Sequence, residues 1–217
     1  TRGIKKILDS TKNADPNWAQ GGIYFGSGQC RAYYVYSMEV HGDYLYAVSY
    51  YGHSVFRVHT TTGVCDYSER VRYAYNLAIG NNKLYAFGRY RNYTTWNLSG
   101  AKPSKISCSV SVYTWLYYES GSAVDPSGNY YYAAYGRNLY RHKIDNNGCI
   151  TNSYSVATLN STYFNRAAIR FHPTNDNILY AASMFRHRLT KITLDSSSFR
   201  ANSYKSVGRC CRGKSNA

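Results

Sequence analysis

Long apolar stretches are missing from this chain. No run of ~18 apolar residues occurs, so no membrane-crossing helix is expected. Acidic residues are scarce, with 11 Asp+Glu against 26 Lys+Arg and a formal charge of +15. A paired-carboxylate acid–base site would have to gather its members from distant parts of the sequence. Cysteine occurs six times but never as C-x-x-C, which argues against a zinc knuckle. The six histidines, His41, His53, His59, His142, His172 and His187, are scattered and show no zinc-protease spacing. A serine-nucleophile motif is absent too. Together these absences lead us to expect a non-catalytic protein with no cofactor and no metal.

What the chain has instead is tyrosine. It carries 26 Tyr and only 2 Met. Tyr favours strands, and its ring packs while its hydroxyl reaches water. That composition fits sheets with many edges better than a helical bundle. The positive balance points to polyanions: acidic or sulfated glycans, anionic surfaces or nucleic acid. An ordinary solvated basic surface would look the same from charge alone.

A Tyr-Ala dipeptide inside an apolar run repeats four times, with its alanine at Ala47, Ala86, Ala133 and Ala181. Periods of ~40–50 residues suit a four-stranded blade. A short apolar strand and a polar turn precede each dipeptide. Examples are Met38-Glu39-Val40 before His41-Gly42-Asp43, and Ala123-Val124 before Asp125-Pro126-Ser127-Gly128-Asn129. Alternating strands follow, as in Val55-Phe56-Arg57-Val58, Leu139–Ile144 and Leu189–Leu194. The expectation is one all-β domain over residues 1–217, a β-propeller of about five four-stranded blades. The segment beginning Ile4-Lys5-Lys6 would join the C-terminal segment in closing the ring. Residues 11–29 read as a long connection with one strand, Ile23-Tyr24-Phe25.

Ser122-Ala123-Val124-Asp125-Pro126-Ser127-Gly128-Asn129-Tyr130-Tyr131-Tyr132-Ala133 resembles the strand–turn–strand motif of NHL-type propellers. Ala168-Ile169-Arg170-Phe171-His172-Pro173 is similar to related propeller repeats. The resemblance implies architecture. It carries no catalytic or metal motif onto these residues, and the superfamily spans binders and enzymes alike.

In such a fold the loops between strands two and three share a face with the links between blades. The former contain Tyr51, His53, Arg89, Tyr90, Arg91, Tyr135, Arg137, Phe185, Arg186 and Arg188. The links add Tyr36, Arg72, Tyr73, Tyr75 and Arg166. Arg forks two hydrogen bonds to sulfate or carboxylate, and aromatic faces stack on sugars. The expected role is a lectin-like binder of acidic or sulfated glycans. The plainer possibility is that these rings simply pack between blades.

Cys30, Cys65, Cys108, Cys149, Cys210 and Cys211 allow full pairing in an oxidising compartment. Equivalent rim positions in successive blades are expected to lie beyond disulfide reach, so Cys30 with Cys210 or Cys211 is the pairing considered for ring closure. Leftover cysteines would permit interchain links, the basis of an alternative role as an adhesive, matrix or filament subunit. Asn92, Asn97 and Asn160 open glycosylation triplets. With the leaderless start Thr1-Arg2-Gly3 they favour a processed, secreted, extracellular glycoprotein and disfavour nucleic acid as a partner.

Overall fold

A computed structural model describes residues 3–4, 18, 23–24, 30, 32–88, 93–108, 121–158, 167–183, 188–197 and 201–209. Contacts divide the chain into two compact units, residues 1–106 and 107–217. Among the described residues no helix is long and apolar enough to cross a membrane.

The first unit holds β1 (Gly3–Ile4) and β2 (Ile23–Tyr24), then β3 (Val35–His41), β4 (Tyr44–Ser49), β5 (Ser54–His59) and β6 (Cys65–Arg70). It continues with β7 (Ala74–Gly80), β8 (Lys83–Gly88), β9 (Tyr93–Asn97) and β10 (Ser104–Ile106). The second unit holds β11 (Ser122–Val124), β12 (Tyr130–Tyr135), β13 (Asn138–Ile144) and β14 (Ile150–Thr158). After these come β15 (Ala167–His172), β16 (Asn175–Ser183), β17 (Arg188–Leu194) and β18 (Ala201–Arg209). Strands pair in chain order into four antiparallel four-stranded sheets: β3–β6, β7–β10, β11–β14 and β15–β18. Each sheet is the meander of a propeller blade.

The described structure therefore has four full blades rather than five. The N-terminal segment supplies only a two-stranded sheet, in which Gly3 pairs with Tyr24 and Ile4 with Ile23. The closing contact expected from the C-terminal segment involves residues outside the described ones.

The register explains the Tyr-Ala repeat. Each repeat tyrosine faces its partner on the third strand: Tyr46 with Arg57, Tyr85 with Thr95, Tyr132 with Arg141 and Tyr180 with Lys191. The adjacent alanine points to the other face, because side chains alternate across a strand. Tyr46 and Ala86 share one core cluster, and Tyr132 and Ala181 share another. Large rings of one sheet thus share a core with small residues of the next. All four alanines are buried.

The disulfides overturn the expected pairing. Cys30 bonds Cys65 and Cys108 bonds Cys149, with Cα–Cα distances of 6.0 and 5.5 Å. Both fall within disulfide reach. Cys30 lies in the segment leading to Ala32 and Tyr33, packed with Trp18 on the core face of the first blade, and this brings it to Cys65 at the start of β6. Successive turn-borne cysteines therefore do pair, and Cys30 is not available to Cys210 or Cys211, which lie outside the described residues.

Candidate functional site

The clearest constellation lies at one end of the first two blades. The loop joining β4 to β5 makes a turn in which His53 N–H donates to the Tyr50 carbonyl at 3.3 Å. Ser49, fully buried at the end of β4, pins this loop to the chain before β3. Its Oγ accepts from Tyr33 N–H at 2.9 Å and Gly52 N–H at 3.2 Å, and donates to the Tyr33 carbonyl at 2.7 Å. Tyr50 N–H completes the join to the Tyr34 carbonyl at 3.0 Å. The link between blades docks on the same loop. Val71 N–H donates to the His53 carbonyl at 2.8 Å, and Tyr73 N–H donates to His53 Nδ1 at 3.0 Å.

These joins gather seven aromatic rings. Tyr34, Tyr33 and Tyr51 contact one another with centroids 5.1–5.5 Å apart. Tyr50 touches Tyr51 at 4.9 Å, Tyr36 at 5.3 Å and Tyr73 at 5.3 Å. His53 meets Tyr73 edge-on at 4.3 Å. The Arg72 guanidinium stands 5.5 Å from the Tyr73 ring centroid, within cation–π range. Tyr34, Tyr36 and Tyr51 are exposed.

The backbone beneath the rings is unusual. Tyr34, His53 and Tyr73 all occupy the left-handed region, with φ of 55°, 51° and 51°. Such conformations cost bulky residues free energy and concentrate at functional sites. Tyr34 and Tyr73 are equivalent, each standing just before the first strand of its blade. In both blades a register shift follows, at Val35/Ser37 and at Ala74/Asn76. Gly88 permits the close passage of the link, because a Cβ there would run into the Arg72 carbonyl oxygen.

His53 is held neutral around pH 7. Burial lowers its proton affinity, and the charges of Arg70 and Arg72 lower it further. With Nδ1 accepting from Tyr73, the ring's proton resides on Nε2.

Of the residues singled out from sequence, Tyr36, Tyr51, His53, Arg72 and Tyr73 come together here. Tyr75 is instead buried in β7, 5% exposed. Arg137 is exposed in the turn between β12 and β13, and Arg188 opens β17. Tyr135 ends β12, and its side chain lies outside the description. Arg89, Tyr90, Arg91, Arg166, Phe185 and Arg186 also lie outside the described residues. So do Asn92 and Asn160, whereas Asn97 is exposed at the end of β9 with its Oδ1 accepting from Ser99 N–H at 3.0 Å. Sequence reasoning missed Tyr33 and Tyr34. The signal was present in the likeness of Tyr34-Val35-Tyr36 to Tyr73-Ala74-Tyr75.

No family model matches the chain, and no curated protein matches it. Solved structures do. A Bacteroides fragilis protein described as a candidate 6-phosphogluconolactonase superposes with a TM-score of 0.59 at 14% identity, over 95% of this chain and 58% of that one. Hydrazine synthase from Kuenenia stuttgartiensis gives 0.53 at 16%, over 76% and 46%. The β-propeller domain of Swd1 from Myceliophteria thermophila gives 0.53 at 12%, over 82% and 59%. The chain spans only 46–64% of the length of these and similar structures. At such identities the likeness establishes the β-propeller fold and nothing about chemistry.

Proposed function

We propose that the chain is a secreted, non-catalytic, lectin-like protein that binds acidic or sulfated glycans through the aromatic and basic end of its first two blades. The observation that carries this reading is the seven-ring cluster, with three non-glycine residues in left-handed conformation and Arg72 beside Tyr73. Exposed tyrosine faces suit sugar rings, and Arg72 with Arg70 suits sulfate or carboxylate. The two disulfides are compatible with an extracellular setting.

The test is a glycan array read at low and physiological salt. Sulfated and uronate-bearing glycans should be retained at low salt and weaken as salt rises, because exposed charge contacts are screened. Tyr51→Ala and Arg72→Ala should each reduce affinity about tenfold, the scale of one stacking or charge-assisted contact. An array empty at low salt would sink the reading. The alternative, a disulfide-linked adhesive or filament subunit, has weaker support, since Cys30, Cys65, Cys108 and Cys149 are consumed within the chain.

A further inference from the structure

We infer that His53 is a proton-operated latch: as the neutral ring it holds Tyr73 and Arg72 in the aromatic cluster, and on protonation in mild acid it lets them go. The inference deepens the glycan-binding reading and, for its effect on affinity, rests on it.

The geometry carries the argument. His53 Nδ1 is a hydrogen-bond acceptor for Tyr73 N–H at 3.0 Å. A proton on Nδ1 turns that acceptor into a donor facing a donor, so the bond cannot survive protonation. Tyr73 sits at φ 51° directly before β7, and this bond is one of the contacts that fix its backbone. Its ring touches Tyr50, and Tyr50 touches Tyr36 and Tyr51, so displacement of Tyr73 reaches the exposed rings. The charged groups facing His53, Arg70 from β6 and Arg72 from the link, both disfavour a second proton, as does burial. Tyr73 from the link meets its ring edge-on, and Tyr50 belongs to its own loop. Glu69, the neighbouring carboxylate, is engaged by Tyr67, Trp96 and Lys105 instead.

Two effects oppose each other when the proton arrives. The new charge draws an anionic ligand, but it adds one screened charge at a partly exposed site. Loss of the latch removes a backbone hydrogen bond and the ordered position of two contact residues. The second effect is the larger for a ligand that stacks on the rings, so acid weakens binding.

The experiment uses the full chain and His53→Asn. Asn tolerates the left-handed backbone, and its side-chain oxygen preserves an acceptor that does not titrate. On lowering the pH from about 7.5 to about 5, the Tyr73 amide should follow the His53 ring through one shared midpoint by NMR. Its exchange, corrected for intrinsic rate, should accelerate about tenfold. In His53→Asn the Tyr73 amide should stay flat. A heparin-type sulfated hexasaccharide should bind the native chain about tenfold more weakly at the acid end, and His53→Asn equally at both. A Tyr73 amide indifferent to the His53 titration overturns the latch. So does affinity that rises in acid, or a variant with the native pH profile. If the hexasaccharide binds at neither pH, the glycan reading fails while the NMR arm still decides the latch.

Discussion

The first and third blades solve one structural problem in two ways. Both place an arginine on their third strand opposite the repeat tyrosine, Arg57 opposite Tyr46 and Arg141 opposite Tyr132. In the first blade the charge is answered by a carboxylate. Arg57 is 3% exposed, donates from Nε and Nη2 to Asp66 at 2.8 and 2.7 Å, and reaches the Ala101 carbonyl at 2.7 Å. Tyr44 stacks on it at 3.9 Å. In the third blade the charge is answered by aromatic faces. Arg141 lies 4.3 Å from the Tyr130 centroid and 5.5 Å from that of Tyr154. The fourth blade also has a cation there, Lys191, but the second has Thr95, so the position accepts a cation with different partners without requiring one.

The largest test of that comparison removes the carboxylate. Asp66→Ala leaves a buried guanidinium without its counter-charge, which typically costs ~3–5 kcal/mol. Tyr154→Leu in the third blade removes one partly exposed cation–π partner and should cost about 1 kcal/mol or less. Urea unfolding of both variants checks the ratio. Equal losses would mean that the ion pair contributes no more than a ring contact. The Asp66 carboxyl is held below its usual range chiefly by the Arg57 hydrogen bonds. Its stabilisation is therefore present above the ordinary carboxylate range and fades as pH falls through the lowered value.

A second contrast lies one residue further along each third strand. The position holds Val58, Trp96, His142 and Ile192 in the four blades, and all four are buried. Only the third blade places a titratable group there. Among the described residues His142 has no hydrogen-bond partner for either nitrogen, and burial pushes its pKa down from 6.5 to about 4. The unfolded chain therefore takes the proton first. Stability is undiminished above pH ~6.5, declines as pH falls towards 4, and levels off below, for a total near ~3 kcal/mol. His142→Ile, which borrows the side chain of the fourth blade, should abolish that acid slope. A slope that persists in the variant would place its origin elsewhere.

Much of this fold was legible because its signals are local. The Tyr-Ala period and the turns at His41-Gly42-Asp43 and Asp125–Asn129 mark strand pairs without reference to the rest of the chain. The strand β9 lacked the alternating apolar pattern of its counterparts and was not anticipated. Its Trp96 is instead a core residue whose Nε1 donates to Glu69 of β6. The cysteine pairing was misjudged because it depends on where Cys30 is carried by Trp18 and Ala32, a tertiary fact that spacing does not encode. The aromatic site was half legible. Loop and link composition marked Tyr36, Tyr51, His53, Arg72 and Tyr73, but nothing in a tyrosine-rich sequence foretells the left-handed backbone at Tyr34 and Tyr73.

A smaller effect than either buried charge or buried histidine comes from the loops themselves, and it separates the blades most sharply. The third blade turns between β12 and β13 through Gly136 at φ 59° and Arg137, with glycine taking the left-handed position as sterics prefer. The first blade has Gly52 within its loop, yet His53, one residue on, is left-handed, and the loop is held by hydrogen bonds to Ser49. Ser49→Ala should cost about 1–2 kcal/mol, since a part-buried carbonyl and two amides lose their hydrogen bonds to the hydroxyl. Glycan affinity should fall by more than global stability implies, because the loop opens locally before the sheet does. Amide exchange localised to residues 50–53, with β4 and β5 still protected, is the outcome expected. Uniform destabilisation of the whole blade would show that Ser49 serves the sheet rather than the loop.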